Sequence, residues 1–154
     1  MKEKYIKARI AQCRIVASLS TCKRRKVGSL LLDPITNVVL CEGYNGTVRG
    51  ATDCCGGKNG EEHICERERL KIPSGANVEV GCVHSEQNLI CNAALNGIKT
   101  GGSWMFVTLE PCLLCAKLIK QAGIKKVFII DSYSGQQGVR FLEENGVEVE
   151  YVEE

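Results

Sequence analysis

The sequence predicts an α/β layered domain whose central sheet is mostly covered on both faces. Three observations predict it. Short apolar runs of strand length recur along the chain. Segments of helical periodicity alternate with the later ones. Gly or Asn-Gly closes those helical segments, where a helix end calls for a left-handed residue.

Each element follows in order. Tyr5, Ile6, Ile10, Cys13, Val16 and Ala17 recur at helical spacing, so the chain opens on an amphipathic helix that ends near Ser20 and has a basic outer face. "VGSLLL" and "NVVLCEGY" flank "DPITN", the pattern of a β-hairpin. "HSEQNLICNAALNG" presents Leu89, Ile90, Ala93 and Ala94 before Asn96-Gly97 and reads as a short, mostly buried helix. "SWMFVTL" is a strand, "PCLLCAKLIKQAG" a helix with Pro111 near its start and Gly123 at its end, and "KKVFIID" a strand. "GQQGVRFLEENG" and "VEVEYVE" complete the series as helix and strand. Cys13, Cys41 and Cys91 occupy apolar positions and are expected in the core.

The stretch from Gly46 to Val83 departs from this order. It has no clear periodicity and far exceeds the usual connection of about 4 to 6 residues. It contains "TDCCGGKNGEEHICERERLK", with Cys54, Cys55, His63 and Cys65, and Cys82 stands near its end. A bound metal is one way to hold such a loop.

Composition narrows the function classes. With 154 residues and 44% hydrophobic content, residues 1–154 are expected to form one domain with its own core. A net charge of +2 and 5% aromatics give no basic footprint, so no nucleic acid is expected and a small-molecule partner is favoured. Arg9 and Arg14 interrupt the apolar part of "MKEKYIKARIAQCRIVASLSTCKRR", against a secretory leader, and no run has transmembrane length. A cytoplasmic protein without membrane attachment is the expectation. Ten cysteines there read as thiols, metal ligands or catalytic groups rather than disulfides.

Pro111-Cys112-Leu113-Leu114-Cys115 falls where a strand gives way to a helix, so the helix dipole and its free N–H groups favour thiolates there. Two thiolates leave zinc short of four ligands. The chain has two histidines, His63 and His84, and His84 opens the other central helix. If both helices start at one sheet edge, His84 joins Cys112 and Cys115 and one coordination position stays open, as in a catalytic site. Glu86, two residues on, is turned about 200° from His84 along a helix. It is badly aimed as a ligand and well placed to shuttle a proton.

His84-Ser85-Glu86 followed by Pro111-Cys112-x-x-Cys115 resembles the H-x-E and P-C-x-x-C signature of the zinc-dependent cytidine and deoxycytidylate deaminase superfamily. "KVGSLLL", "GYNGT", "DCC", "VTLEPCLLCAKLIKQAGIKKV" and "DSY" extend the likeness, which is greatest to the deoxycytidylate branch, bacteriophage members included. The resemblance implies a three-layer αβα domain with a central mixed five-stranded sheet. It implies zinc on His84, Cys112 and Cys115, with Glu86 carrying protons as water attacks C4 of the cytosine and ammonia departs. dCMP then becomes dUMP, the precursor of thymidylate.

By the same likeness Asn45 and Ser85 contact the nucleotide, and Lys26, Thr47 and Tyr133 are candidates for its phosphate and sugar, with Arg24 and Arg25 as nearby charge. A second, structural zinc is implied at about 46–83, on Cys22, Cys54, His63 and Cys82, with Cys65 as the alternative to His63. A homo-oligomer is implied, a hexamer being favoured. Two departures stand out. Ser85 replaces the usual alanine, and Asn92 and Leu95 replace an aromatic and an arginine of the effector site, which implies weakened or absent control by dCTP and dTTP.

Other readings share parts of the pattern. Deamination of dCTP or of 5-substituted dCMP, a tRNA or base deaminase, and a noncatalytic zinc-binding module are the rivals. The last predicts that Glu86 is dispensable.

Overall fold

Side chains alternate across a strand, and the central strands here carry apolar residues on both faces, so both must be covered. The computed structural model describes residues 1–51, 65–76, 78, 80–133 and 137–153. Its elements are α1 (Glu3–Ser18), β1 (Gly28–Leu32), β2 (Val39–Tyr44), α2 (Glu66–Arg69), α3 (Ser85–Leu95), β3 (Trp104–Leu109), α4 (Leu113–Gln121), β4 (Lys126–Asp131), α5 (Gly138–Glu144) and β5 (Glu148–Tyr151). The strands form one five-stranded sheet in the order β2-β1-β3-β4-β5. β1 is antiparallel to β2 and β3, whereas β3, β4 and β5 run parallel. The expected mixed sheet and its three layers are thus present.

Leu30, Leu32, Phe106 and Phe128 face α1, where Ile10, Cys13 and Val16 cover them. Phe106 and Phe128 stack at 4.4 Å between centroids. On the other face Leu31, Met105, Val107, Val127 and Ile129 meet Leu89 and Ala93 of α3, Ala116 and Ile119 of α4, and Leu142 of α5. Among the described residues no helix is long and apolar enough to cross a membrane.

The hairpin turn is built by Asp33, whose carboxylate accepts the N–H groups of Ile35 and Thr36 at 2.8 Å each. Two sequence expectations change. Cys91 is exposed and Cys41 only half-buried, so of the three presumed core cysteines Cys13 alone is fully buried. The buried stripe of α3 is Leu89 and Ala93, and Cys91 stands about 200° around the helix from Leu89. Cys41 lies on edge strand β2, which has a neighbouring strand on one side only.

The second change is α2, a single turn within the stretch that shows no periodicity. That stretch is closed at its two ends by a β-bridge, in which Gly46 and Val83 exchange backbone hydrogen bonds of 3.1 and 2.9 Å. Its second half is gathered by Arg67, whose guanidinium donates to the carbonyls of Pro73, Ala76, Val78 and Val80 at 3.0 to 3.4 Å. The loop therefore re-enters the domain one residue before His84. Gly43 sets how closely α3 approaches the sheet there: a Cβ on it would stand 2.4 Å from the Ser85 carbonyl oxygen.

Candidate metal centre and active site

Helix starts carry unpaired N–H groups and the positive end of the dipole, and two of them meet beyond the carboxyl ends of β2 and β3. Cys112 caps α4, its sulfur accepting the Cys115 N–H at 3.5 Å. Cys115, one turn in, is fully buried. His84 caps α3, and its own N–H is held by the Gln87 side chain at 2.8 Å.

Between the two helices, His84 Nδ1 lies 3.5 Å from Cys112 Sγ and 3.3 Å from Cys115 Sγ. Zinc bonds of about 2.3 Å to sulfur and 2.0 Å to nitrogen at a tetrahedral angle set N and S about 3.5 Å apart. The donors fit the metal in type and spacing. Among the described residues they are the converging set of His, Cys, Asp and Glu groups. Cys115 beside it, then His84 and the Cys115 N–H, draw the Cys112 thiol down to about 4 against the opposing effect of burial, which supplies one thiolate at neutral pH. Three protein donors to a four-coordinate ion leave one position for water or substrate.

The same spot opens on a cavity of about 440 Å³, lined by His84, Ser85, Glu86 and Cys112. Glu86 is only 4% exposed, and burial raises its pKa, opposed chiefly by His84. A carboxyl group so placed exchanges protons more readily near neutrality than a solvated one. Glu110 also lines the cavity, and Tyr151 of β5 donates to it at 2.6 Å.

Elsewhere on the wall are Arg24, Arg25, Arg67 and Tyr133. The Arg25 guanidinium sits 4.1 Å from the centroid of the Tyr133 ring, and Arg24 donates to Ser74 Oγ at 2.6 Å. Asn45 reaches the cavity too, with its amide held on both sides: Val27 N–H donates to Oδ1 and Nδ2 donates to the Arg25 carbonyl, each at 2.8 Å. It fixes the arginine-bearing loop against the site.

Not every residue singled out in the sequence joins this group. Lys26 is exposed, with Nζ 3.5 Å from the Ser18 carbonyl, and neither it nor Thr47 lines the cavity. Cys22, Cys65 and Cys82 line it, Cys22 and Cys65 being buried. Cys54 and His63 lie outside the described residues. Sequence reasoning passed over Arg67 and Ser74, for which no motif was available, and Glu110, whose place two residues before Cys112 was a usable signal.

Gly138 at the start of α5 is a steric requirement of the ligand loop. A Cβ there would lie 2.0 Å from the Pro111 carbonyl oxygen and 2.9 Å from the Cys112 carbonyl carbon. These are backbone atoms and cannot rotate aside. Gly138→Ala is expected to cost about 3 kcal/mol, the upper part of the overpacking range, and to weaken zinc retention. Urea unfolding and zinc competition with a chromogenic chelator measure the two effects.

Comparison with known proteins agrees with this geometry. Residues 3–131 match the family described as the cytidine and deoxycytidylate deaminase zinc-binding region. ComE operon protein 2 of Bacillus subtilis is 33% identical over 147 residues, 94% of this chain and 69% of that protein. Deoxycytidylate deaminase of Enterobacteria phage T4 is 30% identical over 146 residues, covering 77% of this chain and 74% of the phage enzyme. The dCMP deaminase of cyanophage S-TIM5, solved in complex with dCMP and dUMP, superposes with a TM-score of 0.78 at 31% identity over 99% of both chains.

Proposed function

The chain belongs to the cytidine and deoxycytidylate deaminase zinc-binding family, and from that premise we infer that it hydrolyses dCMP to dUMP and ammonia. The observation that carries this reading is the convergence of His84, Cys112 and Cys115 beside buried Glu86 in a cavity that also bears arginines. Bound zinc supplies Lewis acidity, which makes water nucleophilic near neutral pH. His84, Cys112 and Cys115 would hold it. Glu86 accepts a proton from the attacking water and gives it to N3 of the cytosine, then moves the proton of the new C4 hydroxyl to the amino group that leaves as ammonia. Arg24 and Arg25 attract the 5′-phosphate, and Tyr133 packs beside Arg25 against the sugar. Asn45 holds the loop from which the arginines project.

Around this centre the reading extends to assembly and control. A second, structural zinc on Cys22, Cys54, His63 and Cys82, with Cys65 as the alternative to His63, would tie the insertion to the domain; that Cys22, Cys65 and Cys82 line one cavity supports it. The enzyme is cytoplasmic and a homo-oligomer, a hexamer being the favoured form. Control by dCTP and dTTP is weak or absent: the Asn92 amide donates to the Glu42 carbonyl at 3.0 Å and accepts from Arg49 at 3.3 Å, and the Leu95 side chain offers a nucleotide no hydrogen bond.

The test is an absorbance assay of zinc-loaded protein with dCMP, dCTP, deoxycytidine, CMP and 5-hydroxymethyl-dCMP, with and without added dCTP. dCMP is expected to be the best substrate, with deoxycytidine at least about a hundredfold lower in kcat/KM for want of charge-assisted phosphate contacts. Inertness toward every cytosine nucleotide overturns the reading. A steep rise with dCTP overturns only the absence of control.

A further inference from the structure

Glu86 has a buried partner that the proposed chemistry does not use. Ser85 Oγ donates to Glu86 Oε2 at 2.9 Å, and the two residues are 1% and 4% exposed. The Ser85 carbonyl in turn accepts from Ser29 Oγ at 3.0 Å. Ser29 is fully buried on β1, and its single proton has a second, more distant acceptor in the Gly43 carbonyl at 3.3 Å. Ser29 is bound to the backbone of Ser85, and the hydroxyl of Ser85 to the carboxylate.

We propose that Ser85 is a positioning residue for Glu86, and that Ser29 acts behind it, so that the central sheet aims the carboxylate that moves the protons. The terminal torsion of a glutamate is broad and nearly two-fold, so burial alone leaves the plane of its carboxylate loosely set. A hydroxyl donating to Oε2, beside the hydrogen bond from Glu86's own backbone N–H, selects one orientation of the carboxylate. A hydrogen bond to an ionised acceptor is stronger than a neutral one, and both partners here are almost wholly buried. Ser29 matters because Ser85 begins α3: fixing its carbonyl fixes the point from which the Ser85 side chain reaches. The proton of the Ser85 hydroxyl is committed to Glu86, while Ser85 itself still lines the cavity in which the base is expected.

The inference rests on the deaminase reading, and its test is separable from that reading's. The holoenzyme and Ser85→Ala are compared for kcat and KM with dCMP, for zinc content, and for dUMP affinity by calorimetry. The expected result is a fall in kcat of about tenfold, the scale of one lost hydrogen bond in the transition state, with KM, zinc content and dUMP affinity within about twofold of wild type. Ser29→Ala is expected to lower kcat about threefold in the same pattern, its effect passing through one more bond.

Coupling supplies a readout that a merely structural serine would not move. In a Glu86→Asp background the shortened carboxylate no longer reaches Ser85, so the loss from Ser85→Ala should shrink from tenfold to about twofold or less. An undiminished tenfold loss in that background overturns the proposal. So does a rise in KM with weaker dUMP binding, the mark of a substrate contact, or a Ser85→Ala enzyme as fast as wild type. Wild-type protein inert toward dCMP would sink the deaminase reading instead.

Discussion

Glu86→Gln is expected to lower kcat for dCMP by about a thousandfold or more, within the range assigned to a positioned general acid–base, while zinc stays bound at the wild-type stoichiometry. The amide keeps the shape of the carboxylate and can still receive the Ser85 hydroxyl through its oxygen, so the buried neighbourhood changes little. What it loses is the capacity to accept and return a proton. Glu86 is also separated by chemistry from the donor set, which consists of one imidazole and two thiols. Metal retention should therefore be insensitive to the change. Steady-state absorbance kinetics and a zinc assay on the same preparation give both numbers. Near-normal turnover would mean that the proton is moved by another group, and normal biological function without turnover would favour a noncatalytic zinc module.

The relation between sequence and site explains why this residue was legible and others were not. Helix caps are local: Pro111, Cys112 and Cys115 lie within one turn, and His84 and Glu86 within three residues, so their mutual arrangement was implied by helical geometry. That two such starts face each other follows from sheet order, with β1 lying between β2 and β3 and both crossovers returning to one edge. Periodicity read all five strands for the same reason. It failed where contacts are made by the backbone. Arg67 binds four carbonyls, which carry no residue-type signature, and Ser29 reads in "VGSLLL" as only a small strand residue. Lys26 and Arg25 show a related difficulty: adjacent residues in one basic run, they part, and only Arg25 reaches the cavity. Side-chain direction in a loop is set by tertiary contacts, here the grip of Asn45 on Arg25 and Val27.

Cys115→Ala is expected to abolish zinc binding and, with it, detectable deamination. The thiol is fully buried, 3.3 Å from His84 Nδ1, and it is the first influence that draws Cys112 down to about 4. Removing it deletes one of three ligands and also weakens the thiolate character of a second. One imidazole and one thiol are then a poor match for an ion that takes three protein donors even in its open sites. Stability should report the same loss independently of activity. A ligand present at about a thousand times its Kd stabilises the folded state by about 4 kcal/mol, which for a chain of this size is worth roughly 10 °C in Tm. Wild-type protein should therefore lose at least about 10 °C on treatment with a strong chelator, whereas Cys115→Ala should start about 10 °C lower and lose on chelation only what the proposed structural zinc contributes. Cys115→Ser, which fills the space left by the sulfur with a weak neutral donor, should behave like the alanine variant and so separates ligand loss from the cavity that alanine leaves. A chelator-resistant Tm in the wild type, with zinc shown to be removed, would mean that His84, Cys112 and Cys115 are arranged by packing alone, and that metal serves the reaction without contributing to the fold.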